Sequence, residues 1–381
     1  MGELFDLFLF IVFSIVQWRI SRRLWRSYPG RGPRAAIALF NAAVLFGYLC
    51  TFADPPRLLH LPGLTAEFLG GITFIYLIVA TLALPIRWAV ARIGKHFDRP
   101  ADPSRRRALN TAGNLALAAP FAVVGYGTFV ERTNFRVREI DMPIANLAPG
   151  LDGLRILQLS DIHMGAFLSE RELAKVVDAG MEHRAHLAVV TGDLISMSGD
   201  PLDACIRQLA RIKTDAGTFG CMGNHERYAQ AEDYCEEAAA RAGIRFLRKE
   251  ARILRFGGSS LNLAGVDHQS RHGGREYLTA VGNLTQPNAF NLLLSHNPDV
   301  LPVAARQGWD LMLSGHTHGG QINVEFLDQS ITPARFLTPY IYGSYREQNT
   351  AAYVTRGIGS IGVPTRIGAP PEITILRLRK A

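Results

Sequence analysis

The sequence has no paired-cysteine framework. Of its four cysteines, Cys50 lies in an apolar stretch, and Cys205, Cys221 and Cys235 cannot all pair with one another. That excludes a disulfide-stapled fold and leans toward a reducing compartment. Internal repeats and low-complexity tracts are missing too, so neither a repeat array nor a disordered chain is expected. The larger part of the chain also lacks any excess of positive charge. Residues 1–134 carry 15 Lys and Arg against 7 Asp and Glu; taken from totals of 41 and 33, these leave 26 of each for the remainder. The whole +8 net charge therefore sits in the first third, and the pI near 9.5 is no nucleic-acid footprint of the rest. No nucleic-acid partner is expected.

What the first third does have is long apolar runs, near residues 4–18, 35–53, 68–86 and 111–130. A bilayer-crossing helix needs about 20 apolar residues, within roughly 17–25. The second, third and fourth runs meet that length. The first is short, yet the arginine-rich turn after it lacks the small residues of a signal-peptide cleavage site. None shows the polar face of an amphipathic soluble helix. Four transmembrane helices are expected in residues 1–134.

Orientation follows from the segments between the runs, because short Lys/Arg-rich loops stay in the cytoplasm. "RISRRLWRSYPGRGPR" carries six arginines, "DPPRLLHLPGLT" one, and "RWAVARIGKHFDRPADPSRRRALN" seven cations. The first and third loops then lie inside and the second outside. Everything after Val130 falls on the outer, periplasmic face of a bacterial inner membrane. "SRRRALN" has a loose likeness to a twin-arginine export address, with Ala108 where an aromatic usually stands; an arginine-rich loop explains it equally well. The cysteine usage pulls against this outer-face placement.

Residues 135–381 read differently. Short apolar runs alternate with helical patterns: "LRILQLS" then "SERELAKVVDAGMEH", "HLAVVTG" then "DPLDACIRQLARIK", "GTFGCMG" then "AEDYCEEAAARAG". Further runs, "SLNLAGV", "AFNLLLS" and "WDLMLSG", add strands, and the whole reads as one α/β domain. In such sheets ligands gather at the carboxyl ends of strands. There the sequence places Asp161 and His163, then Asp193, then Asn224, His225 and Glu226, then His296, then His316 and His318. Taken singly each has a plainer role: an Asp after a strand is commonly a helix N-cap, and a lone His a satisfied loop residue. Together, two Asp, one Asn and five His at one sheet edge, with no basic residues between, are costly to desolvate unless a cation sits among them. The mixed oxygen and nitrogen set, without a thiolate, suits Mn, Fe or Zn.

In this order, D-x-H, G-D, G-N-H-E, a lone H and G-H-T-H-G-G-Q resemble the motifs of the calcineurin-like metallophosphoesterases, across residues 161–321. The tail "YVTRGIGSIGVPTRIGAPPEITIL" resembles the end of a bacterial branch of membrane-linked phosphodiesterases of the YaeI type. More distant is a likeness to UDP-2,3-diacylglucosamine pyrophosphatases. The four apolar runs lie outside this resemblance. It implies two packed mixed sheets flanked by helices and two divalent metal ions. Asp161, His163 and His318 would hold one ion, Asn224, His296 and His316 the other, and Asp193 would bridge them. His225 would serve as general acid or stabilise phosphoryl charge, with Glu226 orienting it. The pyrophosphatases carry arginine where this chain has His225, so that role does not transfer directly. Gly223, Gly315, Gly319 and Gly320 would allow tight turns and close backbone approach.

Three further features are weighed against plain surface roles. The strand end Gly265, Val266, Asp267 and His268 could touch substrate, and Arg356 and Arg366 could clamp phosphate bidentately. The expected function is a membrane-anchored hydrolase of a phosphodiester or pyrophosphate bond, in a lipid or envelope substrate. The alternatives are a phosphomonoesterase or protein phosphatase of the same fold, or a non-catalytic membrane-bound binder. A binder should have lost some of the seven expected ligands, and none is missing. A nuclease is disfavoured by the neutral charge of the catalytic part.

Overall fold

The structure is a computed structural model describing residues 2–51, 65–96, 103–270, 277–279, 281–326 and 329–381. The chain falls into two compact units, Met1–Val130 with Gly362–Thr365, and Glu131–Ile361 with Arg366–Ala381.

The first unit is helical. Helices α1 (Gly2–Ser27), α2 (Arg31–Leu49), α3 (Ala66–His96) and α4 (Pro103–Phe129) cover the described residues of the four apolar runs, save residues 50, 51 and 130. Most of the expected outer loop, "DPPRLLHLPGLT", lies outside the described residues, as does part of the third loop. Helix α1 runs on through its arginines to Ser27, so the first cationic loop is mostly helix. Among the described residues two stretches, Arg31–Leu49 and Ala66–Pro85, are long and apolar enough to cross a bilayer. A polar network ties three helices together. Gln17 donates to Asn41 Oδ1 at 3.0 Å, Ser21 to the same oxygen at 2.8 Å, and Tyr76 to Gln17 Oε1 at 2.9 Å.

The second unit is built on two six-stranded sheets. The first holds β1 (Arg136–Ile144), β2 (Arg155–Leu159), β3 (Leu187–Val190), β4 (Thr218–Gly220), β5 (Ile244–Phe246) and β14 (Glu372–Lys380), in the order β1-β14-β2-β3-β4-β5. The second holds β6 (Glu250–Phe256), β7 (Ser259–Gly265), β8 (Phe290–Leu294), β9 (Leu311–Ser314), β12 (Gly343–Glu347) and β13 (Thr350–Val354), in the order β12-β13-β9-β8-β7-β6. A small hairpin, β10 (Val324–Phe326) with β11 (Gln329–Ile331), stands apart. Central neighbours β2, β3 and β4 are parallel, as are β7, β8 and β9.

Side-chain alternation explains the layers. Ile156, Leu187 and Val189 of one sheet meet Leu261, Leu292, Leu311 and Leu313 of the other in a shared core. The opposite face of the first sheet, through Leu157, Leu159 and Val190, packs on α5 (Glu170–Met181) and α6 (Leu202–Leu209). On the second sheet, Leu293 and Met312 pack outward on α8 (Leu301–Gln307) and Trp309. Strands covered on both faces have no reason to alternate with polar residues, hence the unbroken runs in the sequence.

The expected two-sheet α/β sandwich flanked by helices is what forms. One detail differs from the sequence reading. The five strand ends do not share one sheet edge: β2, β3 and β4 belong to the first sheet, β8 and β9 to the second. Runs of similar composition cannot tell which sheet a strand joins, because pairing is a long-range property.

Candidate metal centre

Five of the seven expected ligands sit on left-handed backbone: Asp161 (φ 51), His163 (φ 46), Asp193 (φ 57), His316 (φ 75) and His318 (φ 52). Each such non-glycine residue costs of order 1–3 kcal/mol and persists only where its surroundings over-determine it. Here the surroundings are neighbouring loops. The Asp161 amide donates to the Gly192 carbonyl and the His163 amide to the Asp193 carbonyl, both at 3.0 Å. Asn224 and His296 take ordinary backbone. Asn224 opens α7 (Asn224–Tyr228) just after β4, and His296 follows β8.

Glu226 locks two of these loops. Fully buried, it accepts the amides of Asp193 at 3.0 Å, Leu194 at 2.6 Å and Gly223 at 2.8 Å. The expectation that Glu226 orients the His225 ring is therefore corrected: its carboxylate is taken up by three backbone donors. The sequence did carry the sign, since Glu226 stands three residues after the helix N-cap Gly223, the capping-box position. Burial, then the charge of Asp193, raises its pKa above the usual carboxylate range.

Four of the imidazoles are held by Nδ1. His296 Nδ1 lies 2.7 Å from the Thr191 carbonyl, His318 Nδ1 3.3 Å from the Gly359 carbonyl, and His225 Nδ1 2.6 Å from the Ser196 carbonyl. A carbonyl only accepts, so Nδ1 of His296 and of His225 carries the proton and Nε2 faces inward; His318 Nδ1 also lies 3.3 Å from Arg366 Nη2, a donor. His163 Nδ1 is 3.2 Å from Ser196 Oγ.

The inner atoms converge. His296 Nε2 is 3.0 Å from Asp193 Oδ2 and 3.1 Å from His316 Nδ1. His163 Nε2 is 3.2 Å from His318 Nε2 and 3.5 Å from Asp193 Oδ2. His318 Nε2 is 3.5 Å from Asp161 Oδ1. Asp161 Oδ2 and Asn224 Oδ1 are buried without a hydrogen-bond partner. Acceptor facing acceptor, with orphaned buried oxygens beside them, is repulsive unless positive charge lies between. The donors group as Asp161, His163 and His318; as Asp193, His296 and His316; and as His163, Asp193 and His225. Asp193 belongs to two of the three. The residues present thus fit divalent cations.

Protonation agrees. Burial holds His163 near pKa 3 and His316 near 4, and pushes His318 well below its usual value. Burial opposes charge on His296 as well, yet the Asp193 carboxylate lifts it to about 10. Burial would raise Asp193, but His296 and His163 hold it well below the usual range. With no cation, a proton on His296 neutralises Asp193; a bound cation takes over that task.

The other singled-out residues separate. Arg366 is fully buried, and its guanidinium donates to the carbonyls of Gly359, Arg356, Ala369, Gly357 and His318. Arg356 is stacked over Tyr342 at 4.0 Å, with Nε 3.9 Å from the Glu372 carboxylate. Arg366 has no donor left for a phosphate, so that expected clamp is corrected to a brace of the loops behind the site. Asp267 turns away to pair with Arg248 at 2.9 Å. His268 does face the centre, its ring 5.5 Å from that of His316 and 6.0 Å from that of His296.

The glycines meet a steric need. A Cβ on Gly315 would lie 2.0 Å from Ser160 Oγ and 2.2 Å from Asp161 Oδ2; one on Gly223 would lie 2.0 Å from Asp193 Oδ1. Gly223→Ala should therefore displace the Asp193 carboxylate. Mn²⁺ affinity measured by titration calorimetry is expected to fall about 10- to 100-fold, with an overpacking cost of about 1–3 kcal/mol in unfolding. Unchanged affinity would show that Asp193 does not govern metal binding.

A family model described as calcineurin-like phosphoesterase matches residues 154–320. A "transmembrane protein with metallophosphoesterase domain" from Danio rerio is 29% identical over 397 residues, covering 98% of this chain and 88% of that protein. Phosphodiesterase YaeI of Escherichia coli is 30% identical over 280 residues, covering 72% of this chain and 99% of that protein. The uncharacterized metallophosphoesterase YkuE of Bacillus subtilis is 30% identical over 282 residues, covering 72% and 98%. The chain belongs to the calcineurin-like phosphoesterases and is a metal-dependent phosphoester hydrolase.

Proposed function

We propose that the chain is a membrane-anchored, dinuclear phosphodiesterase that cleaves a phosphodiester or pyrophosphate bond in a lipid or envelope substrate. Asp161, His163 and His318 would hold one divalent ion; Asn224, His296 and His316 the other. The observation that carries the proposal is Asp193, whose carboxylate is shared between donor groups on both sides. Two ions bound there would supply Lewis-acid stabilisation of the phosphoryl oxygens and a water acidic enough to attack near neutral pH.

The chain's own residues do the rest. His225 is held from behind by the Ser196 carbonyl at 2.6 Å, and its amide donates to Asp193 Oδ1 at 2.9 Å. Its ring packs edge-on to that of His163 at 4.7 Å. Protonated on Nε2, it can give a proton to the leaving oxygen, a contribution of roughly 10²- to 10⁴-fold. Glu226 acts one step back, fixing the backbone of Asp193. With Arg366 committed elsewhere, the bound ions, His225 and His268 are the groups that would meet the phosphoryl charge. Support for a diester comes from the relative named as a phosphodiesterase.

The membrane anchor is proposed as residues 1–134 with four spans, and the catalytic domain as residues 135–381, on the outer face of a bacterial inner membrane. Two apolar helices of spanning length support it, as does the Danio rerio relative, named as transmembrane and matched along 98% of this chain.

Two measurements test the proposal. Full-length Mn²⁺-loaded protein should cleave bis(p-nitrophenyl) phosphate in preference to p-nitrophenyl phosphate. His225→Ala should lower kcat about 10²- to 10⁴-fold with metal content unchanged. Metal-loaded protein that cleaves neither ester would sink the enzymatic reading. For orientation, alkaline phosphatase fused after Ala381 should be active in cells; activity only of a cytoplasmic reporter there would reverse the topology.

A further inference from the structure

From the histidines after β9 a groove of about 310 Å³ leads away from the metal centre. His316 and His318 form its inner end, while Ala334 and Leu337 form its outer wall. Its volume is at the small end of ligand pockets, which run roughly 300–1,000 Å³. The polar side chains along it are committed to the protein. Thr338 donates to Asp299 at 2.6 Å, Asn297 to the Gln269 carbonyl at 2.6 Å, and Gln321 to the Ile361 carbonyl at 3.0 Å. A hydrocarbon chain lying there would strand none of these bonds.

Beyond the groove the surface turns apolar. Phe336 is 93% exposed and Leu337 77%, on the turn Pro333–Phe336 and the residue after it. Val324 and Ile331, cross-strand partners in the β10–β11 hairpin, are 56% and 60% exposed. Single exposed apolar residues are ordinary in any protein. Four within residues 324–337, beside a groove that ends at the site, mark a surface with an apolar partner.

We infer that this groove and the Phe336 turn hold the hydrocarbon chain of an amphiphilic phosphoester substrate. The ester sits at the metal centre and the chain runs outward over Leu337 to Phe336. The assignment rests on the phosphoesterase chemistry proposed above and specifies the tail of its substrate. Continuity selects the occupant: a groove whose inner end is two site histidines receives whatever is attached to the phosphoryl group.

Alkyl p-nitrophenyl phosphodiesters from methyl to octyl test it, each below its aggregation concentration, with the Mn²⁺-loaded full chain in phosphatidylcholine nanodiscs. kcat/KM should rise two- to fourfold per methylene, the upper figure matching about 0.8 kcal/mol per buried CH₂. Leu337→Asp and Phe336→Ser, at exposed positions where folding is not at stake, should compress the octyl-to-methyl ratio at least tenfold. The same bilayer surrounds all variants, so partitioning of the longer esters cancels. A flat series with the methyl ester still cleaved overturns the tail groove and leaves the phosphoesterase standing. A loss equal across the series makes the turn a bilayer or structural contact, and also overturns the assignment. If no ester is cleaved by metal-loaded protein, the phosphoesterase chemistry falls and the tail groove falls with it.

Discussion

Asp193 Oδ2 lies 3.0 Å from His296 Nε2 and 3.5 Å from His163 Nε2, with its residue only 2% exposed. A buried carboxylate in that position needs a compensating charge, and burial keeps His163, His316 and His318 neutral while His296 is drawn toward the charged form. Much of the neighbouring structure serves to keep this carboxylate in place. Glu226 holds its amide, Gly223 clears space for Oδ1, and the His225 amide donates to that same oxygen. The Asp193 carbonyl in turn fixes the loop that carries His163. One side chain thus links the ends of β2, β3 and β4 in the first sheet to β8 in the second.

The two-sheet architecture makes that convergence possible. The shared core of Leu and Ile residues fixes the distance between sheets, and the strand ends then deliver donors from both sides. Reaching a common point demands left-handed backbone at five donors, a conformation the loops enforce on one another through their own amides and carbonyls. Strain of this kind is tolerated at a functional site because a rigid scaffold over-determines it. Arg366, buried behind the site, belongs to the same scaffold: its guanidinium gathers the carbonyls of Arg356, Gly357, Gly359 and Ala369.

Much of this could be read in the chain before any coordinates. The strand-end positions of Asp161, Asp193, Asn224, His296 and His316 follow from where each apolar run stops, and Asp161, Asp193, His296 and His316 fall in clusters of possible ligand atoms. What could not be read depends on distance. No local pattern assigns β8 and β9 to a different sheet from β2 to β4, since both sets are buried on two faces. Arg366 looks like any cation in a glycine-rich tail, and only packing reveals that its donors are all taken. Glu226 was partly legible, because its capping-box spacing pointed to backbone amides rather than to a neighbouring ring.

Everything above turns on whether two cations are joined through Asp193. Electron paramagnetic resonance of the full chain titrated with Mn²⁺ tests it most directly. Saturation is expected at two ions per chain, with an exchange-coupled spectrum that collapses to uncoupled Mn²⁺ in Asp193→Ala. Saturation at one ion, or two uncoupled ions in the wild-type protein, would contradict it.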